Sequence, residues 1–243
     1  MPEQLWFTAL LNRLFAGPVD SVLHAMGVQP VYPKAPITNF VAMQVLVAVF
    51  LIAFFALVRS RLSVDHPGGL QHIIEGTENF IKDQSQQVIG PHSEGFTAFL
   101  VALGFFILIC NLIGMIPGFD SPTAVPSVPF GCAIVAFFYY HYQGLKKRGV
   151  AYFKHFAGPF LWLAPLMFPI ELISHLARVL SLTVRLFANM FAGDMVTLVF
   201  FSLIPIGVPI AFLGLHIGVS LLQTYIFVLL TTVYLQGAVA EEH

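Results

Sequence analysis

Between Ile170 and Ile204 the chain runs for about 35 residues with no proline and a single glycine. At about 1.5 Å of rise per residue, a helix of that length reaches roughly 52 Å, well past an apolar bilayer core of about 30 Å. Such a helix must break or lie strongly tilted. A polar stripe along it also requires that one face meet protein or water rather than lipid. A second arm, Val208 to Leu235, returns after a turn marked by Pro205, Gly207 and Pro209, so the two arms form a long intramembrane hairpin.

The rest of the chain places this hairpin in a bilayer. Hydrophobic residues make up 58% of the sequence and charged ones only 9%, far below the quarter typical of soluble domains. Two further apolar runs, 37–58 and 95–117, have spanning length, and 130–145 is a shorter third. Residues 67–90 alternate Ile73, Ile74, Phe80, Ile81 and Val88 with Glu75, Glu78, Lys82 and Asp83, the pattern of an interfacial amphipathic helix. The expected fold is an all-α polytopic membrane protein with about five membrane-embedded helices plus that interfacial helix. It forms a single membrane domain over 37–243. Residues 1–36 contain Pro18, Pro30, Pro33 and Pro36 around the short run LWFTALLNRLF, too short to cross; they are expected to lie at the extracytoplasmic surface.

Arg59, Arg61, Lys146, Lys147, Arg148 and Lys154 all fall on one side of these spans, which makes that side cytoplasmic. The N-terminus and the 118–129 turn are then outside, the chain re-enters from the cytoplasm at Pro159, and the C-terminus is cytoplasmic. No cleavable signal peptide is evident, so the first span is expected to direct insertion. A net charge of −1 offers no field for nucleic acid. Cys110 and Cys132 sit in apolar runs without metal-ligand spacing and read as small hydrophobes; no metal or cofactor is expected.

The chemistry gathers on the hairpin. At about 100° per residue, Glu171, His175, Arg178, Ser181, Arg185 and Asn189 share a stripe about 120° wide, while Asp194 faces the opposite way. With the mirror point near residue 204, Arg185 lies level with Gln223, and Asp194 with a point half a turn from His216. His216 and Gln223, seven apart, share a face. An arginine stays charged at ordinary pH, and burying one at bilayer depth costs about 3 kcal/mol on insertion scales. Glu171 and Asp194, the only acids in the apolar stretch of the hairpin, are too far along or around an unbroken helix to pair with it. The positive charge of Arg185 is left for a carboxylate on a different chain.

The segments LSLTVRLFANMFAGDM (180–195) and HIGVSLLQTYIFVLLTTVYL (216–235), the terminal EEH and NLIGMIPG (111–118) closely resemble subunit a of F-type rotary ATP synthases. The resemblance covers about 37–243. It implies a non-catalytic, ion-translocating stator in a bacterial inner membrane, partnered by the c-ring, by peripheral-stalk subunit b and by lipid. It further implies that Arg185 holds each passing c-subunit carboxylate ionised between two offset half-channels, coupling proton flow to ATP synthesis. Asp194, His216 and Gln223 match the outer half-channel and its junction with the arginine, together with Asn189. Glu171 matches the inner one, with His175 and Ser181 as neighbours. Aspartate at 194 departs from the glutamate common in bacterial members and shortens the reach by one methylene.

Plainer roles stand beside these. Asp194 and His216 also suit an interhelical hydrogen-bond pair, Gln223 and Asn111 suit glue between helices, and His175 and Arg178 suit a headgroup-level position. Two other function classes are disfavoured. A stand-alone secondary transporter commonly carries an internal repeat, and no second copy of the hairpin is present. An intramembrane enzyme needs a site that neither HExxH nor GxSxG supplies, and the absence of GxxxxGK[ST] puts phosphate chemistry elsewhere.

Overall fold

A computed structural model of the chain describes residues 5–25, 27, 35–63, 68–116, 118–149, 152, 164–203 and 207–239. The apolar runs become helices because lipid offers the backbone no hydrogen-bond partners and a helix satisfies them internally. Helix α1 spans Trp6–Ala25, α2 Asn39–Ser60, α3 Gly69–Ile89, α4 Glu94–Ile113, α5 Ser127–Arg148, α6 Ala164–Leu203 and α7 Val208–Val239. Among the described residues, α2, α4, α6 and α7 are long and apolar enough to cross a membrane. The fold is all-α and polytopic.

The expected elements are present, with boundaries that differ for physical reasons. Helix α5 is longer than the 130–145 run. Pro126 caps it and Pro129 sits in its first turn, where a missing N–H costs nothing, while Lys146, Lys147 and Arg148 in its last turn suit the negative end of the helix dipole. Helix α6 starts at Ala164, six residues before the expected arm, and runs unbroken for 40 residues. Pro169 lies inside it, in the second turn, where the helix forgoes one backbone hydrogen bond. Helix α1 extends past LWFTALLNRLF to Ala25, with Pro18 inside it. Its Asn12 clamps the approach to α2: the side-chain amide donates to the Ile37 carbonyl at 2.9 Å and accepts from the Ile37 N–H at 3.0 Å. The expected re-entry at Pro159, Lys154, Pro205 of the turn, and the terminal EEH lie outside the described residues.

Three groups of buried side chains join the helices. Met43, Val47 and Leu51 of α2 meet Cys110 and Ile113 of α4. Leu103 and Ile107 of α4 and Ala133 and Ala136 of α5 pack with Leu182, Leu186 and Met190 of α6 and Phe227 of α7. A third group links Leu100 of α4 and Tyr140 of α5 to Val228 and Leu235 of α7. Both cysteines are free and buried. In the NLIGMIPG run, Gly114 allows the chain to double back, since a Cβ there would fall 2.4 Å from that of Ser121. The amphipathic α3 lies against α4 and α7, with the Tyr225 hydroxyl donating to Gln84 at 3.4 Å.

Candidate functional site

Arms α6 and α7 pack antiparallel, and their side-chain pairs fix the register. The Asn189 amide donates to Gln223 Oε1 at 2.7 Å, Ser220 Oγ lies 3.8 Å from Met190 Sδ, and His216 Nε2 lies 3.7 Å from Asp194 Oδ1. These pairs set the mirror point near residue 205 to 206, slightly beyond the expected 204. Polar groups on the two arms do meet in depth, but the residue opposite Gln223 is Asn189, one turn beyond Arg185.

The placement of Arg185 follows from the buried arc of α6. His175, Val179, Leu182, Thr183, Leu186 and Met190 are buried. At about 100° per residue their arc is centred roughly 110° from Arg185. Arg185 is half-buried at the far edge of the open face, which runs from Leu176 and Leu180 through Val184 and Ala188 to Ser181 before the helix surface turns back to the buried arc. Its guanidinium donates to Ser181 Oγ one turn back, at 3.2 Å. Among the described residues no carboxylate lies within ion-pair distance of it. The other arginine of the arm differs: Arg178 sits over the Tyr234 ring, 5.1 Å from its centre, a cation–π contact.

Two carboxylate–imidazole pairs flank Arg185. On one side His216 reaches Asp194 across the hairpin. The ring lies directly on Gly193, where a Cβ would stand 2.8 Å from His216 Nδ1. His216 is buried, and among the described residues its Nε2 has no hydrogen-bond partner at 3.5 Å or less. At 3.7 Å the pair is one small adjustment, or one shared proton, short of a bond. On the other side His175 Nε2 lies 3.3 Å from Glu171 Oε1, and His175 Nδ1 lies 2.9 Å from the Tyr140 hydroxyl of α5. From Arg185 it is nine residues to Asp194 and fourteen to Glu171, or about 13 Å and 21 Å along the axis.

This order of groups on a matching pair of arms coincides with a family assignment. A family model described as ATP synthase A chain matches residues 41–236, from the start of α2 to near the end of α7. The chain belongs to the ATP synthase subunit a family. Among subunit a relatives, the ATP synthase subunit a of Koribacter versatilis is 57% identical over all of both chains. That of Solibacter usitatus is 51% identical over 96% of this chain and all of its own length. The Geobacter sp. strain M21 protein, at 38%, still covers 95% of this chain and 98% of its own. Subunit a membership makes this a multi-pass component of the membrane sector of an ATP synthase.

Within that frame, Asn111 takes the helix-joining role its sequence position suits, while two other residues of the site lay outside sequence reasoning. Asn111 of α4 donates to the Ser220 carbonyl at 3.4 Å and to Thr224 Oγ1 at 3.3 Å, tying the second span to α7. Tyr140 and Gly193 were hidden: a tyrosine in an aromatic-rich span reads as core, and a lone glycine in a helix reads as a defect. The available signal for Tyr140 was the cluster Tyr139, Tyr140, His141 and Tyr142 in an otherwise apolar run.

Proposed function

We propose that this chain is the non-catalytic, ion-translocating stator of a rotary ATP synthase, passing protons between two offset half-channels and a carboxylate carried by each subunit of a c-ring. Arg185 carries the proposal: an obligatory cation at the seam of an otherwise apolar face, held by one hydroxyl of its own helix and by no carboxylate among the described residues. Leaving a guanidinium so placed is costly unless a partner arrives from outside the chain. A carboxylate coming within about 4 to 6 Å of it has its pKa lowered by roughly 1 to 3 units, so it passes Arg185 ionised. It therefore gives up its proton on one side and gains another on the other, and the fixed charge blocks a direct leak.

The flanking pairs supply the two routes. Asp194 and His216, with Gln223 and Asn189 deeper in, line the route from outside to the rotor. Glu171 and His175, with Ser181 beside Arg185, line the route to the cytoplasm. The basic ends of α2 and α5 support this orientation, with the N-terminus outside and the C-terminus inside a bacterial inner membrane. The amphipathic α3 and the lipid-facing surface of the first span leave room for the peripheral-stalk subunit b. We further propose that residues 1–36 form an extracytoplasmic segment before a single membrane domain over 37–243.

The test is Arg185→Ala in the assembled complex, reading ATP-driven proton pumping and passive proton leak together. Pumping should fall by at least a hundredfold while leak through the membrane sector rises. Pumping at the level of the unaltered complex would sink the proposal.

A further inference from the structure

The inner carboxylate–imidazole pair differs from the outer one in a third member. His216 has Asp194 at 3.7 Å and, among the described residues, no hydrogen-bond partner on Nε2. His175 has Glu171 at 3.3 Å on Nε2 and the Tyr140 hydroxyl at 2.9 Å on Nδ1. Both His175 and Tyr140 are buried, and the two rings lie nearly parallel with centres 5.8 Å apart. The hydroxyl therefore approaches in a fixed direction, from a different helix.

A phenol is both donor and acceptor, and this decides what the contact can do. When His175 is neutral with Nδ1 bare, Tyr140 O–H donates to Nδ1, which places the ring proton on Nε2, facing Glu171. When His175 is an imidazolium, Nδ1–H donates to the Tyr140 oxygen, the phenol proton turns away, and Nε2–H still faces the carboxylate. Both charge states keep the same heavy-atom contacts. Moving a proton on or off Nδ1 then requires only a rotation of one hydroxyl.

The remaining charged and titratable neighbours are on α5 and α6. His141 stands with its ring centre 4.8 Å from that of His175, and its Nδ1 is hydrogen-bonded to the Tyr152 hydroxyl. Arg178, three residues along α6, lies over Tyr234 of α7.

We propose that His175 is the proton-loading site of the inner route and that Tyr140 is its positioning residue, holding the imidazole on Glu171 through both protonation states. This rests on the stator reading and deepens it. In the forward direction a proton leaving the rotor carboxylate binds neutral His175. The imidazolium then passes Nε2–H to the Glu171 carboxylate or to cytoplasmic water, which leaves the neutral Nδ1–H tautomer donating to the Tyr140 oxygen, and the next proton is taken up at the bare Nε2. One proton enters and one leaves, and neither Tyr140 nor the backbone changes charge. A residue acting only by filling space would not make proton flux depend on the pH of one compartment.

The experiment uses the whole complex in sealed vesicles, with inner and outer pH set separately. Tyr140→Phe keeps the ring and removes the hydroxyl. It should lower ATP-driven pumping about fivefold and displace the dependence on cytoplasmic-side pH, with the dependence on the opposite side unchanged. His175→Gln, which fills the site but cannot titrate, should abolish that cytoplasmic-side dependence, and it serves should the first variant fail to assemble. Unaltered cytoplasmic-side profiles in both variants, or equal displacement on both sides, would overturn the proposal. If Arg185→Ala also left pumping intact, the stator reading itself would fall; if it abolished pumping, only the role of Tyr140 and His175 would be lost.

Discussion

At the scale of single residues, Gly193 makes the sharpest separation between folding and function. A glycine in a helix interior is less favourable than alanine by roughly 1 kcal/mol, so Gly193→Ala ought to favour the helix on propensity alone. Yet the added Cβ would stand 2.8 Å from Nδ1 and 2.9 Å from Cε1 of His216, close enough to push the imidazole off Asp194. Displacing a proton-transfer partner by about 1 Å costs up to roughly a hundredfold in rate. The expected result is normal assembly of the complex with proton flux down by about tenfold, measured on quantified complex in vesicles. Undiminished flux would show that the ring can shift without consequence. Arg185, Asp194 and Glu171 stand out in the sequence because charge in an apolar run is costly and needs a partner. Gly193 and Tyr140 do not, because their roles lie in what they touch on another helix: the His216 ring in one case, His175 Nδ1 in the other.

At the scale of elements, the hairpin was legible and its register nearly so. Two long apolar arms around Pro205, Gly207 and Pro209 leave little choice but an antiparallel pair, and the level-matching placed His216 near Asp194. The small shift in mirror point came from the turn, whose length a sequence does not fix, and it moved the opposite number of Gln223 from Arg185 to Asn189. This register is directly measurable. With Cys110 and Cys132 replaced by alanine, Asn189→Cys paired with Gln223→Cys should form a disulfide under mild oxidation several times faster than Arg185→Cys paired with Gln223→Cys. The first pair replaces side chains in hydrogen-bond contact at 2.7 Å, whereas Arg185 points about 110° away from the buried arc. Equal or reversed rates would return the hairpin to the register expected from sequence.

At the scale of the whole molecule, burial is distributed unevenly. Half of the most apolar stretch of α4 is buried inside the chain, but only 11% of that of α6. Leu176, Leu180 and Val184, on the open face of α6 that Arg185 bounds at its far edge and roughly 180°, 140° and 100° around the helix from it, are 58%, 63% and 50% exposed. Lipid alone could cover them, since acyl chains are as apolar as leucine. The position of Arg185 at the edge of that same face argues otherwise, because a guanidinium bordered by acyl chains would have to snorkel some distance to water. A protein surface bearing a carboxylate resolves both demands at once, covering the leucines and meeting the charge. Leu180→Cys and Val184→Cys should therefore react with a membrane-permeant maleimide in vesicles holding the subunit alone and be protected at least fivefold once the c-ring is assembled. Ile52→Cys on α2, exposed at 72% on a helix that packs against α4, should label alike in both preparations. Protection of α2 with free reaction at 180 and 184 would move the rotor to the other side of the molecule and leave Arg185 facing lipid.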